Sequence, residues 1–566
     1  MSDGQILRFA LSIDGRDEDL HDVLRFDLQE GLSEGCRGWV DLATREAVDS
    51  GELTGKPFRL RVLVNEEEPG RCFHGIVYAA SVEAYQPGDF RVRLEVGSRL
   101  HVLELGQEVR LFQQKSAREV VEQVLKEADL TDQRWVLSAP PPSRDAVTQY
   151  NESDLDLVKR LLAEEGIAFA VRNDGAKETL VFFDGPDGLE PIAGEAVLQD
   201  WINVRPDASA ALHVSERHAA APDAVMVRDY DPKRPALDLS HREEAEGARG
   251  REVYVHPGRY EDLKEGKRLA KRILERLRAL CVLREGTSDC PFLEPGRSFE
   301  LQGHSRAELN GEQCILSVNH RGGSRGEAEK ATADRYENTF RCIPLDRPFR
   351  PAAPAERPAV GVEVAFVTGA SGQELHGSER GEVKVRFPWD RSGITDDRSS
   401  PWLRVGQLAL GGSMIIPRVG FEVVVDREKG DRDRPLVVGH LYNGESPVPY
   451  ALPEGATRSS IQTATTGGGA GANELRFEDS AGGEEIFLNA SHDYTVSVEH
   501  DSSLHVGVDE TAEVGGNRTV SVGANESLQV GGTRTVEVGA NQSLNVGGDL
   551  SDAVGGSAQI QVGGTR

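Results

Sequence analysis

Nine valines stand eight residues apart at the end of this chain: Val498, Val506, Val514, Val522, Val530, Val538, Val546, Val554 and Val562. From the second onward each is followed by glycine: Gly507, Gly515, Gly523, Gly531, Gly539, Gly547, Gly555 and Gly563. Two places before the valines sit Val496, Leu504, Ala512, Val520, Leu528, Val536, Leu544 and Ile560, with Asp552 the one exception. A spacing of two puts both apolar side chains on one side of a strand, while the residues between them, such as Ser521 and Glu537, face water. Glycine then permits a tight corner that a side chain would obstruct. Each octad is therefore a short strand plus a corner, and such a strand cannot bury its apolar edge alone. It must stack on copies of itself.

Two stackings satisfy that demand. One chain coils on itself with three octads to a turn, or three chains wind together and each gives one strand to every level of a triangular prism. At roughly 4.8 Å per strand the first is only about 14 Å tall, whereas the second is a shaft of about 40 Å. Beyond residue 490 Tyr494 is the only aromatic, which suits a narrow shaft and favours three chains. A continuous ladder leaves open edges only at its ends, so the product is a stiff needle suited to pushing. Three copies of Asp552 would point at the axis of such a prism and would need a cation, protons or water. A local bulge that turns the side chain outward is the plainer alternative. The chain breaks off at "VGGTR", the opening of another octad. That would leave an open rung, so the expectation is that the native chain continues or that a partner covers the end.

The 566 residues suggest three or four domains. A formal charge of −29 argues against nucleic-acid phosphates as a partner and against stable anchoring on anionic membranes. The N-terminus has no basic stretch followed by an apolar core, and no apolar run is long enough to span a bilayer. The protein is thus expected in the cytoplasm first, and leaves the cell, if it does, by a route that reads something else. Cys36, Cys72, Cys281, Cys290, Cys314 and Cys342 show no C-x-x-C spacing and read as reduced, buried thiols.

Residues 1–350 read as mixed β with a few helices. "SAREVVEQVLKEAD" opens with a capping box, Ser116 and Glu119, and carries Val120, Val121, Val124, Leu125 and Ala128 on one face. "ESDLDLVKRLLAEEG" aligns Leu155, Val158, Leu161 and Leu162 and ends at Gly166. "EDLKEGKRLAKRILERLRAL" sets seven basic against four acidic residues, read as a solvated outer face. "FRVRLEV" and "PGRSFELQG" alternate as half-buried strands. Residues 351–360 lie in a proline-rich linker. Residues 361–445 hold "GEVKVRFPW", "WLRVGQLAL", "GFEVVVDRE" and "RPLVVGHLY", the short strands of a small Greek-key barrel. Residues 446–490 read as a neck or linker with a glycine-rich joint and the start of the needle, and 491–566 as the octad-repeat needle.

No catalytic pattern stands out. H-E-x-x-H, G-x-S-x-G and the phosphate-loop signature are missing from the sequence. His213 and His218, like His500 and His505, are five apart, which puts them on opposite sides of a strand and suits no metal. "GGGAGA" at Gly467 reads as linker. No cofactor is expected.

In the order "RLFQQKSAREVV", "QYNESDLDLVKRLLAEEGIAF", "VRDYDPKRP", "GEVKVRFPWDRSG", "SSPWLRVGQLALGG", "GDRDRPLVVGHLYN", "NELRFEDSAGGEEIFLNASHDY" and then the octads, the chain resembles the VgrG spike proteins of type VI secretion systems. These are similar to the hub and spike of contractile phage tails. The resemblance covers essentially the whole chain. It implies a mainly β, multidomain homotrimer: a phage-tail-hub-like β-barrel base in pseudo-sixfold array, a small oligonucleotide/oligosaccharide-binding (OB) type barrel, and a C-terminal intertwined β-helix (β-prism) needle. It further implies a cap on the Hcp tube hexamer, baseplate contacts, a PAAR-repeat tip protein, and carriage of an effector, in some cases with an adaptor chaperone, into a target cell without a signal peptide. The interval 446–490 is too short for the lysozyme-like domain that some phage spikes insert. The rival readings are a phage-type tail spike with cell-wall or carbohydrate hydrolase activity and a self-coiled single-chain adhesin.

Overall fold

The computed structural model describes residues 7–14, 22–45, 48–64, 68–86, 88–173, 177–193, 197–200, 210–323, 335–355, 358–359, 361–469 and 471–564. They fall into two units, Met1–Asn489 and Ala490–Arg566.

In the first unit, alternation of apolar and polar residues builds a curled antiparallel sheet. Asp89–Gly97 is typical: Val92, Leu94 and Val96 are buried between the outward Arg91, Arg93 and Glu95. They pack with Leu11, Leu28, Val40, Leu60 and Phe73 of neighbouring strands. Asp22–Gly31, the last strand of this half, then pairs with Gly311–Gly323, Leu28 opposite His320. Through that seam the sheet continues into Arg335–Pro344, Val282–Ser288 and Ala210–His218, and among the described residues it counts thirteen strands. This second half closes over its own core, including Leu198, Leu293, Phe299, Ile315 and Phe340.

Helices cover what the strands leave open. Helix α1, Ala117–Glu127, begins at the anticipated capping box: the Glu119 N–H donates to Ser116 Oγ at 3.3 Å and the Ser116 N–H to Glu119 Oε2 at 2.8 Å. Its Val120, Val121, Val124 and Leu125 are fully buried against α2, Asp154–Glu165. Gly166 ends α2 with φ of 68°, where a Cβ would lie 2.8 Å from Arg272 Cδ. Helix α3, Leu263–Arg278, corrects the expectation of a wholly solvated basic face. Its lysines, Lys264, Lys267 and Lys271, do face water, but its arginines are half-buried. Arg268 and Arg272 both reach Glu165 at 3.0 Å. The planar guanidinium can bridge two elements where an ammonium stays hydrated.

The barrel pairs Lys384–Arg386, Glu363–Thr368, Glu422–Arg427, Pro435–Leu441 and Arg404–Val405 in that order around Ala365, Val367, Val385, Val423, Val425 and Val437. Two of the expected strands are much shorter than the alternation suggested. "WLRVGQLAL" leaves the sheet after Val405, and Leu408 and Leu410 are exposed in a loop closed by Gln407 against Ile415. The neck is more ordered than a linker: Arg458–Ala464, Ala472–Glu478 and Glu485–Asn489 form an antiparallel sheet. The glycine-rich joint is the tip of its first hairpin, closed by Thr465 N–H to Gly471 O at 2.8 Å. Of the six cysteines five are buried and Cys281 is half-buried, and all are free thiols.

Buried charges cross the seam. Arg71 donates to Glu30 at 2.7 Å and to Glu294 at 2.9 Å. His320, fully buried, sets Nε2 at 3.0 Å from Glu30 and Nδ1 at 2.5 Å from the Tyr336 hydroxyl. Burial would raise the Glu294 carboxyl, but Arg71, Arg172 and Arg297 outweigh it and hold the group at about 2. Burial lowers His320 and keeps it neutral, against the pull of Glu30. Both groups favour neutral pH. His320 stability is present above its ordinary value of 6.5 and is lost as pH falls below it, because the unfolded chain protonates first. Glu294 stability is full above 4.5 and is lost as pH approaches about 2. The expected melting curve of the first unit therefore falls in two steps on acidification. Glu294→Gln should cost about 3–5 kcal/mol at neutral pH by leaving Arg71 buried without its full complement, and should flatten the lower step. Calorimetry from pH 7.5 to 2.5 checks both.

Candidate functional site: the barrel anchor and the octad tail

The motif "GDRDRP" places four alternating charges, Asp431 to Arg434, on a turn between two barrel strands. Each one meets a group of the base. Asp431 Oδ2 lies 3.0 Å from Arg259 Nε. Arg432 reaches Glu152 at 2.7 Å, and Glu152 is also held by Arg160 at 2.7 Å. Asp433 accepts the Thr148 N–H at 2.6 Å. Arg434 grips Asp229 with two parallel bonds of 2.8 and 2.6 Å. Burial would raise the Asp229 carboxyl, but Arg434 and the Tyr230 and Tyr260 N–H groups hold it below the usual carboxylate range. Around this tetrad, Arg427 binds Glu363 at 2.6 Å and stacks over Tyr150, and Gln113 donates to the Arg398 carbonyl at 2.7 Å. The barrel is thus clamped to the base by ion pairs at Asp431 and Arg432 and by charge-assisted hydrogen bonds at Asp433 and Arg434, which are stronger and more directional than neutral ones. The proline-rich stretch before it contributes too: the Ala359 N–H donates to Gly430 O at 3.0 Å.

The second unit is of another kind. From 490 to 564 the chain carries neither helix nor strand, and every residue from 491 to 564 is exposed. The chain does not coil on itself. Val498, Val506, Val514, Val522, Val530, Val538, Val546, Val554 and Val562 are 41–59% exposed, and the larger residues two places before them, such as Leu528 and Leu544, 58–77%. A ladder strand needs a hydrogen-bonding neighbour, and this chain supplies none. Full burial of a valine or leucine is worth about 1.5–3 kcal/mol, so the tail displays a large unmet apolar surface. The corner glycines differ from expectation in one respect. None of Gly507 to Gly563 has a left-handed φ, and a Cβ built on any of them meets nothing within 4 Å. Whatever requires glycine there is not the chain's own backbone or packing. Asp552 is exposed like its neighbours.

The other expected sites stay apart. His213 and His218 share the strand Ala210–His218, and His218 leans on Glu216 at 2.9 Å. His500 pairs with the adjacent Asp501. Gly468 in "GGGAGA" donates its N–H to Glu374 at 3.2 Å. Among the described residues no group of His, Cys, Asp and Glu is arranged to hold a metal, and no helix is long and apolar enough to cross a membrane. Burial pushes the Glu178 carboxyl up to about 7, yet it serves as an acceptor for the Arg99 N–H at 2.8 Å.

Comparison with known proteins adds three family matches. Residues 29–326 match the phage tail baseplate hub (GPD) family, residues 373–442 the type VI secretion system/phage-baseplate injector OB domain, and residues 459–566 the bacteriophage T4 gp5 C-terminal trimerisation domain. The type VI secretion system spike protein VgrG4b of Pseudomonas aeruginosa is 36% identical over 521 residues, 88% of this chain and 64% of that protein. The Vibrio cholerae protein named actin cross-linking toxin VgrG1 is 32% identical over 88% of this chain and 47% of its own length. The chain spans between half and two thirds of the first curated relatives it matches. In structure it is similar to the E. coli c3393 protein, described as a type VI secretion component resembling T4 tail proteins gp27 and gp5, with a TM-score of 0.57 at 21% identity over 76% of this chain and 99% of that one. The fold is accordingly that of a multidomain, mainly β phage-tail hub with an OB-type barrel and a trimerisation tail.

Removing the cation from the anchor tests it. Arg434→Ala leaves Asp229 buried without its partner, at an expected cost of about 3–5 kcal/mol. Calorimetry should then resolve the barrel as a separate, earlier transition, and proteases should cut within 351–360, whereas Arg404→Ala, on an exposed pair with Glu428, should change neither.

Proposed function

The chain belongs to the phage tail baseplate hub (GPD) family, and on that premise we propose that it is a VgrG-type spike protein, one third of a homotrimeric, non-enzymatic spike that a type VI secretion system drives into a target cell. Three octad tails wind into a prism in which the apolar stripe of each copy is covered by the other two. The three bases sit as a pseudo-sixfold cap on the Hcp tube within the baseplate. A PAAR-repeat protein covers the tip, and an effector, with its adaptor chaperone where one is needed, travels with the spike. The protein waits in the cytoplasm and leaves through the apparatus itself.

One observation carries this reading: a stretch from 491 to 564 in which every residue is exposed, repeating an apolar octad and matching a trimerisation domain. The barrel anchor supports it mechanically. A spike must pass axial load from base to needle without a hinge, and four charges of one turn, each paired across the junction, oppose rotation there. The hydrolase reading is less favoured: the sequence carries no catalytic signature of that class, and Glu178, with its raised carboxyl, is engaged by backbone. The toxin activity named for one relative belongs to a protein of which this chain spans under half.

Light scattering on the full chain tests the assembly. Three copies of a 61.6 kDa chain give about 185 kDa. Val522→Asp with Val530→Asp would place six carboxylates in the thin core, each costing several kcal/mol, and is expected to return the 61.6 kDa mass and to abolish release of the tube protein from cells. A wild-type chain at the single-subunit mass, or normal release with the doubly substituted chain, would contradict the proposal. A murein-release assay on the purified trimer addresses the hydrolase reading and is expected to be blank.

A further inference from the structure

A repeat of identical words has a problem of register. If every octad ends in the same valine and glycine, the apolar core looks the same after a slip of one octad, and flat, repetitive ladders are prone to such slips. This chain breaks the monotony with a second period of sixteen. Counting each conserved valine as position one, position five reads Glu510, Arg518, Glu526, Arg534. Position seven alternates Val520, Leu528, Val536, Leu544, and position three Gly516, Ala524, Gly532, Ala540. The four charged residues at position five are exposed, and none of them makes an ion pair among the described residues.

We propose that these position-five charges form interchain columns that lock the register of three copies of this chain. The inference rests on the trimer reading above and deepens it. In a three-chain prism each octad climbs one level as it passes to the next face, so it lies on the preceding octad of a neighbouring copy, position over position. In the native register the three contacts from Glu510 to Arg534 set Arg over Glu or Glu over Arg: Arg518 of one copy on Glu510 of the next, Glu526 on Arg518, Arg534 on Glu526. A slip of one octad sets Glu on Glu and Arg on Arg along the whole column. The same slip stacks Leu on Leu and Val on Val at position seven, where the native register interleaves large with small. One column pair is a weak exposed ion pair, but the pattern repeats on three faces and opposes the slip at each level from Glu510 to Arg534. The second copy is named by charge complementarity alone: the unpaired charges of the tail are complementary to the same tail displaced by eight residues.

The register can be read by cross-linking. Position six faces away from the core, and parallel neighbours at about 4.8 Å lie within the span a disulfide bridges. With Thr519→Cys and Ser527→Cys in a Cys281→Ser background of the full chain, the native register links 527 of one copy to 519 of the next. A one-octad slip links 519 to 519 or 527 to 527. Mass mapping of the linked peptides gives the ratio, and light scattering gives the assembly. Neutralising the column (Glu510→Gln, Arg518→Gln, Glu526→Gln, Arg534→Gln) is expected to leave the trimer mass but to lower the ratio of unlike to like links about tenfold. Exchanging the signs (Glu510→Arg, Arg518→Glu, Glu526→Arg, Arg534→Glu) is expected to restore it. An unchanged ratio in the neutral chain overturns the charge code while leaving the trimer standing. So does failure of a folded, trimeric sign-exchanged chain to recover the ratio. A single-subunit mass in the parent overturns the trimer and the code with it.

Discussion

A short strand with one greasy side and no neighbour of its own is unstable in water, and much of this molecule follows from that constraint. The octad tail is exposed along its length in the single chain, and on the proposed reading its hydrogen-bonding and apolar partners are other copies. Nothing in the tail offers an alternative core: it has no helix, no self-paired strand and one aromatic residue. Where most domains solve burial by folding back, this segment, on the proposed reading, defers it to assembly, so that folding and oligomerisation would be one event.

The first unit shows the opposite strategy. It is held by apolar cores that are complete within one chain, and it spends its buried charges on joints. Arg71, Glu30, Glu294 and His320 tie the two halves of the large sheet, and the Asp431–Arg434 turn ties barrel to base. Ion pairs of this sort add little net stability over an apolar substitute, but they are intolerant of misplacement. Directional joints between greasy cores suit a part that must keep its geometry under load.

How much of this was legible depended on where the partners lie. The helix caps at Ser116 and Gly166 and the buried faces of α1 and α2 are local, so the sequence spelled them out. The octad declares its period, but the strand and corner expected of each repeat are not formed in the single chain. The anchor was not: Arg434 and Asp229 are 205 residues apart, and "GDRDRP" alone says turn, not clamp. The strand Glu363–Thr368 follows directly on a proline-rich stretch that reads as a boundary, while "WLRVGQLAL" alternates as a strand should and is mostly loop. The neck sheet was hidden behind its glycines, which mark a hairpin tip as readily as a linker. In α3 the charge count was right and the role was not, since only contact with Glu165 distinguishes a bridging arginine from a solvated lysine.

The central claim is that residues 491–564 gain their structure from other copies of the same chain. Amide hydrogen exchange across that segment, followed in the intact protein as it is diluted, tests this most directly. The account predicts amides that exchange orders of magnitude more slowly than in a free chain and that lose protection together, over the whole segment, when the assembly is forced apart. Amides that exchange at free-chain rates in the concentrated protein, or protection that persists unchanged in the isolated subunit, would contradict it.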